Sequence, residues 1–353
     1  MTKDAERAKR ILMTGSNGYL GSVMAPWLTK AGYEVVGLDA AYFADCTLGP
    51  DNGQPATVHR DLRELRPSDV EGFDTVIHLA ALSNDPIGNL NDQWTAAINH
   101  DGTVRLAQYA KKAGVRRFVF SSSCIMYGLS SVAEATEETP LAPQTQYARS
   151  KVTAEAALSE LASDDFSPVY CRNGTVYGLS PRMRFDTVLN NLMGMAVTTG
   201  RVRVFSDGTP WRPVVHVQDV ARYFQAVIEA PRDVVHNEAF NMGADTLNFQ
   251  IRTLAEIVTE TVPGCELQMV PQAGADNRTY RAGFTKFKRT FPDFDFLWSP
   301  REGARELYGA FKAVGLTHAD FKDKRFTRLA WLQHLLASGR VDGDLRWTER
   351  AAA

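Results

Sequence analysis

Tyr147 and Lys151, in the run Y-A-R-S-K, stand four residues apart, the spacing that puts two side chains on one face of a helix. A phenol with an unperturbed pKa of about 10 is a poor base at neutral pH. A neighbouring ammonium and a positively charged nicotinamide ring would both favour the phenolate, which could then remove a hydroxyl proton as hydride leaves the same carbon. Upstream, F-V-F-S-S-S-C-I-M-Y-G, from Phe118 to Gly128, sets three hydroxyls at the end of an apolar run. Such a string is either a hydrogen-bonding site for a reacting oxygen or a polar turn. Further upstream, T-G-S-N-G-Y-L-G (Thr14 to Gly21, containing Asn17, Tyr19 and Leu20) follows another apolar run and enters a helical pattern. Gly15, Gly18 and Gly21 would serve the tight turn, the approach of backbone to a pyrophosphate, and close helix-to-strand packing. Asp39 lies eighteen residues beyond Gly21, at the end of the next β-branched run, where a carboxylate can accept both ribose hydroxyls of an adenosine. Ala40, Ala41 and Tyr42 supply no cation for a 2′-phosphate, so the expected cofactor is NAD rather than NADP.

These residues need a scaffold, and the first half of the chain writes one. Strands are expected at 10–15, 33–39, 56–60, 74–80 and 116–123, alternating with helices near 19–31, 95–113 and 145–163. That alternation predicts an α/β fold of the Rossmann type, a doubly wound parallel sheet with helices on both faces. After about Pro168 the rhythm changes. V-Y-C-R-N-G-T-V-Y-G reads as a strand, followed by a helix near 185–199, strands at R-V-R-V-F and P-V-V-H-V, and helices at 218–230 and 249–262. The expected division is a nucleotide-binding domain over 1–172, with a return near 213–243, and a smaller mixed α/β substrate lobe over 173–353. A last amphipathic helix, F-T-R-L-A-W-L-Q-H-L-L-A-S-G, follows His318; the sequence leaves open whether it caps the lobe or contacts another subunit.

Composition narrows the partners. The 353 residues are 44% hydrophobic and 23% charged, enough to bury a large core, and the formal net charge of −2 without long basic clusters argues against nucleic acid and membrane surfaces. Cys46, Cys124, Cys171 and Cys265 lie far apart, without metal-ligand spacing, which suggests reduced thiols and no metal site. The opening M-T-K-D-A-E-R-A-K-R lacks the apolar core of a signal peptide, and no apolar run approaches the length of a membrane span, so a cytoplasmic location is expected.

Taken together, TGSNGYLG, Asp39, HLAA (78–81), Asn99, SSSCIMYG and YARSK resemble the extended short-chain dehydrogenase/reductase superfamily, in its NAD-dependent nucleotide-sugar epimerase/dehydratase branch. The similarity runs from about residue 10 to residue 316. It implies a catalytic set of Ser123, Tyr147 and Lys151, with Ser121 and Ser122 as strand-end support. It also implies that Asp61 and Leu62 bind adenine, that Leu79, Ala80 and Ala81 line the cofactor, and that Asn99 stabilises the site; His78 is left as core. For a nucleotide-sugar substrate the resemblance points to Asn191 in N-N-L-M, Arg212 in D-G-T-P-W-R-P and Arg278 in D-N-R-T-Y-R, the two arginines clamping a diphosphate through paired charge-assisted hydrogen bonds. The family often has Asn where this chain has Thr175, which alters one substrate contact. A homodimer through helices near 95–113 and 145–163 is also implied.

Three reactions share that scaffold. Dehydration in the family uses an Asp-Glu pair directly after the catalytic hydroxyl, where this chain has Cys124 and Ile125; Ile cannot move a proton. A 4-keto-sugar reductase needs only Tyr, Ser and an exchangeable hydride donor, commonly NADPH. An epimerase needs Tyr, Ser, retained NAD and room for a keto sugar to turn. The expectation is therefore an epimerase, at C4 of a UDP- or dTDP-hexose, with the reductase next and a non-catalytic dinucleotide sensor as the alternative of another class.

Overall fold

A computed structural model describes residues 9–51, 53–128, 134–270 and 279–348. The strands of its first half are β1 (Arg10–Thr14), β2 (Glu34–Asp39), β3 (Thr57–His59), β4 (Thr75–His78), β5 (Arg117–Ser123) and β6 (Ser167–Asn173). The second half adds β7 (Thr175–Tyr177), β8 (Arg201–Val204), β9 (Trp211–His216), β10 (Glu238–Met242), β11 (Asn248–Gln250) and β12 (Glu266–Met269). Seven strands form one sheet in the order β3-β2-β1-β4-β5-β6-β10, every neighbouring pair parallel. A sheet covered on both faces demands apolar residues on both, and β4 and β6 are buried at every position.

Alternation along β5 separates two cores. Phe118 and Phe120 face one, with Leu106 of helix Gly102–Lys112 and Leu158 of helix Gln146–Leu161; Val119 faces the other, with Leu28 of helix Gly21–Lys30 and Phe224 of helix Val217–Glu229. A third core, including Met193, Leu254, Val258 and Phe311, fills the smaller lobe among helices Val188–Thr199, Ile251–Thr261 and Pro300–Ala313. There β9 pairs parallel with β7 and antiparallel with β11, and β8 pairs with β12, giving the smaller mixed part of the fold. The final helix, Arg328–Ala337, places Trp331, Leu332 and Leu335 in the large-sheet core rather than in the smaller lobe's core.

The chain leaves β1 toward β2 and β3 but returns through β4 toward β5 and β6, so the carboxyl ends of β1 and β4 border a crevice. Gly15, Asp39, Leu79 and Ser123 all lie at carboxyl ends of strands that open onto it.

Two local features differ from expectation. The run read as one strand after Pro168 is two: β6 ends at Asn173 and β7 departs to pair with β9. Gly174 lies at the break, where the backbone passes so close to Pro213 that a Cβ would stand 3.1 Å from its carbonyl oxygen. The helix expected near 95–113 begins at Asp92 and contains a π turn over Ala96–Asp101. That turn carries Asn99, whose amide spans the Leu82 backbone and the Ser150 hydroxyl; a π turn inside a helix often marks a functional site.

The helix that carries Tyr147 and Lys151 is pinned to the sheet by a buried ion pair. Arg172 on β6 places Nη2 2.6 Å from Glu155 Oε2 and Nε 3.1 Å from Oε1, with both side chains less than a tenth exposed. The Arg172 Nη1 donates to the Tyr127 hydroxyl, which donates to Asn241. Removing one partner of such a pair leaves an uncompensated charge. We expect Glu155→Ala to lower the unfolding free energy by about 3–5 kcal/mol in urea titration, and Glu155→Gln to lose less, since it keeps one acceptor. A loss below about 1 kcal/mol for Glu155→Ala would show that the pair does not hold this helix.

Candidate active site

A cavity of about 480 Å³ follows the crevice and continues between the large sheet and the smaller lobe. At one end Gly15, Gly18, Tyr19 and Leu20 line it. Gly15 has φ of +75°, and a Cβ there would meet Ala80 N at 2.7 Å; at Gly21 it would lie 2.3 Å from the Gly15 carbonyl oxygen. The glycines thus let the loop press against the Leu79–Ala81 backbone and the helix start, leaving the space that a pyrophosphate requires. Gly21 and Asn17 stand behind this wall, and Asn17 acts through its backbone amide, which donates to Asp39 Oδ2 at 3.0 Å.

The Ala41 amide donates to the other Asp39 oxygen at 2.7 Å. Burial raises the Asp39 carboxyl above its ordinary value, and the Ala41 and Asn17 amides oppose that rise. The carboxylate lines the cavity with each oxygen fixed by one amide, and each oxygen has a second lone pair of the kind a ribose hydroxyl requires. Asp61 and Leu62 also line the wall. Burial works against the Asp61 carboxylate, but hydrogen bonds from Arg63 outweigh it and hold the group below its ordinary pKa. The fit to a dinucleotide is therefore made by the glycine cradle and the oriented Asp39 together.

Ser123, Tyr147 and Lys151 meet on the opposite stretch of the cavity. Thr145 caps the helix, its hydroxyl accepting from Ala148 N at 3.1 Å and donating to Asp85 at 2.6 Å. One turn after Tyr147, Lys151 is buried with Nζ donating to the Ser121 carbonyl at 2.7 Å and lying 5.8 Å from the Tyr147 ring centroid. Burial pushes Lys151 down to about 7, with Glu155 opposing. The Tyr147 phenol is raised by burial first and by Asp85 next; Arg184 and a hydrogen bond with Ser123 pull the other way.

The three serines differ in use. The Ser121 hydroxyl accepts from Asn173 Nδ2 at 2.9 Å while its carbonyl holds Lys151; Ser122 turns its hydroxyl to Met126; Ser123 accepts from the Ile125 amide and meets Tyr147. Ile125 lines the cavity, whereas Cys124 is wholly buried with Sγ 3.1 Å from the Arg172 carbonyl, its thiol pushed up by burial. His78 is neutral at physiological pH, lowered to about 3 by burial, between the Thr14 and Thr103 hydroxyls.

Thr175 and Arg212 also reach the cavity, and the Arg212 guanidinium lies 5.8 Å from the Tyr280 ring centroid. Asn191 does not line it: its amide donates to the Phe185 carbonyl at 2.8 Å. Its neighbour Asn190 is fully buried and joins Gly178, Tyr19 and Arg184. Asn99 likewise stands behind the wall, bonding Leu82 and Ser150. Arg278 lies outside the described residues. Sequence reasoning missed the Arg184–Asp186 pair, in contact at 2.5 Å on the cavity wall, with Asn84 donating to Asp186 at 3.0 Å. Its signal was the run P-R-M-R-F-D, whose charges sit among residues that turn out to be buried. Among the described residues no cluster of His, Cys, Asp or Glu could hold a metal, no cysteine is paired, and no helix is long and apolar enough to cross a membrane.

Known proteins resemble this chain in sequence and in fold. UDP-glucose 4-epimerase 2 of Arabidopsis thaliana is 27% identical over 337 residues, covering 85% of this chain and 93% of its own length. An epimerase of Methanothermobacter thermautotrophicus has the same fold at a TM-score of 0.77 and 25% identity, covering 88% of this chain and 94% of that one. An NAD-dependent NDP-hexosamine 5,6-dehydratase of tunicamycin biosynthesis also reaches 0.77, at 24% identity, covering 86% and 98%. Epimerase and dehydratase thus sit equally near in fold, so fold does not select the reaction. The family model described as NAD dependent epimerase/dehydratase matches residues 11–243, a span that takes in both the glycine loop and the Tyr147 helix. The chain belongs to that family of nucleotide-sugar enzymes, and its cofactor is NAD.

Proposed function

We propose that the chain is a nucleotide-sugar epimerase acting at C4 of a UDP- or dTDP-hexose. The observation that carries this reading is the cavity wall where Ser123 and Tyr147 meet over buried Lys151 while Ile125 faces in and Cys124 faces away. The first two groups serve a hydroxyl that loses a proton. The last two leave the usual acid–base positions for expelling water without a proton carrier.

In this reading Tyr147 removes the C4 hydroxyl proton, Ser123 bonds the same oxygen, and the carbon–oxygen double bond forms as hydride departs. The glycine loop and Asp39 would hold NAD, which would supply the hydride acceptor and donor. Arg212 holds the diphosphate while the keto sugar turns; Tyr147 then gives its proton back to the oxygen. Burial and Asp85 keep the phenol protonated against Arg184 and Ser123, and burial brings Lys151 to about 7; below that value the Lys151 ammonium, 5.8 Å from the phenol ring, adds a second positive charge that favours the phenolate. A cytoplasmic homodimer through helices Gly102–Lys112 and Gln146–Leu161 completes the proposal, resting on the family resemblance.

Tyr147→Phe is expected to lower kcat by about 10²–10⁴-fold while the protein still binds NAD. In Lys151→Met, the rising limb of kcat/KM against pH should move to higher pH by about 1–3 units, because the phenol loses a cation on its own helical face and keeps only Arg184. Purified protein given UDP- and dTDP-hexoses without added NAD(P)H should interconvert C4 epimers, with no uptake of deuterium from D₂O. A strict need for stoichiometric NAD(P)H would replace the proposal with a reductase, and a 4-keto-6-deoxy product would replace it with a dehydratase.

A further inference from the structure

The C-terminal segment holds the adenosine side of the cavity. Trp331 Nε1 donates to the Tyr42 carbonyl at 2.6 Å, and Trp347 Nε1 donates to the Ala40 carbonyl at 2.6 Å, so two indoles fix the loop that follows Asp39. The Tyr42 hydroxyl donates to the Leu345 carbonyl, Arg63 Nη1 donates to the Asp344 carbonyl at 2.6 Å, and Arg346 pairs with Glu64 at 2.6 Å. The segment therefore grips both the Asp39 loop and the Asp61 loop.

Its first helical residue enters the cavity itself. Arg328 is 2% exposed, yet it lines the wall, with its guanidinium 4.4 Å from the Phe43 ring centroid. Nη2 donates to the Arg182 carbonyl at 2.8 Å, and Nη1 is buried with no hydrogen-bond partner among the described residues. No carboxylate there lies within ion-pair distance of the guanidinium: Asp186 receives the Arg328 backbone amide but pairs with Arg184, and Asp51 pairs with Arg182. Burial, then the charge of Arg184, bring Arg328 down to about 10, so it remains a cation at neutral pH. A buried cation with an unsatisfied donor is costly unless an anion arrives to meet it.

Two diphosphates are expected in this cavity, one belonging to the cofactor and one to the sugar nucleotide. Arg328 stacks on Phe43, four residues past the ribose-binding Asp39, and shares the wall with the glycine loop. Arg212, expected to hold the sugar's diphosphate, lies by Tyr280. We propose that Arg328 binds the pyrophosphate of NAD, so that the C-terminal segment supplies a cofactor ligand as well as clasping the adenosine loop. The inference requires NAD and is independent of which sugar reacts.

Calorimetric titration of NAD-free protein with NAD, ADP, adenosine and UDP tests this, using Arg328→Met and Arg328→Lys beside the parent. Arg328→Met should weaken NAD and ADP by about 10- to 100-fold, leave adenosine and UDP unchanged, and not lower the Tm of the NAD-free protein, because the uncompensated charge is gone. Arg328→Lys should recover part of the loss. Unchanged NAD and ADP affinity would overturn the proposal, as would weakening confined to UDP, which would assign the residue to the sugar nucleotide. A fall in the NAD-free Tm with equal weakening of all four ligands would overturn it in favour of a purely structural role; should Arg328→Met fail to fold, Arg328→Lys binding NAD and ADP with parental affinity while UDP weakens would overturn it as well.

Discussion

The Lys151 ammonium has to be kept dry and yet charged, and much of the site follows from that demand. Its bond to the Ser121 carbonyl ties it to the end of β5, and Phe120 covers it with a ring whose centroid is 4.5 Å away. Ser121 is in turn held by Asn173, and Asn173 accepts from the Tyr223 hydroxyl at 2.5 Å. One turn further along the same face of that helix, Glu155 is held by Arg172 of β6. One buried charge thus draws support from three neighbouring elements, β5, β6 and helix Val217–Glu229, which is why residues far apart in sequence hold one phenol and one amine at a fixed separation.

The parts of this arrangement that were legible in the sequence are those set by local spacing. The glycine loop must follow a strand and enter a helix, Asp39 must end the next strand, and Tyr147 and Lys151 must share a helical face; each constraint spans a few residues or one βαβ unit. The inner strands β1, β4 and β5 were legible because burial on both faces leaves a nearly continuous apolar run.

What escaped the sequence depends on contacts between distant segments. Arg184 and Asp186 carry no motif of their own and gain a place in the site only when the lobe folds them against Asn84. Asn190 and Asn191 are adjacent, and which faces inward is decided by the phase of helix Val188–Thr199 relative to Tyr19; both amides end on protein partners. Gly174, between β6 and β7, packs its backbone against Pro213, a residue nearly forty positions later. The final helix carried an apolar stripe that would suit either lobe, and Trp331 chose the large sheet through a bond to Tyr42, nearly three hundred residues earlier. The same long-range packing brings Arg328 to the cavity.

The central claim, that hydride leaves C4 and returns to the opposite face within one enzyme-held NAD, is tested most directly with an NDP-hexose deuterated at C4. Incubated with the protein and no added cofactor, it should give the C4 epimer with deuterium retained at C4, read by mass spectrometry and proton NMR. Loss of the label to solvent, its transfer to free cofactor, or its migration to C6 with loss of water would contradict the account.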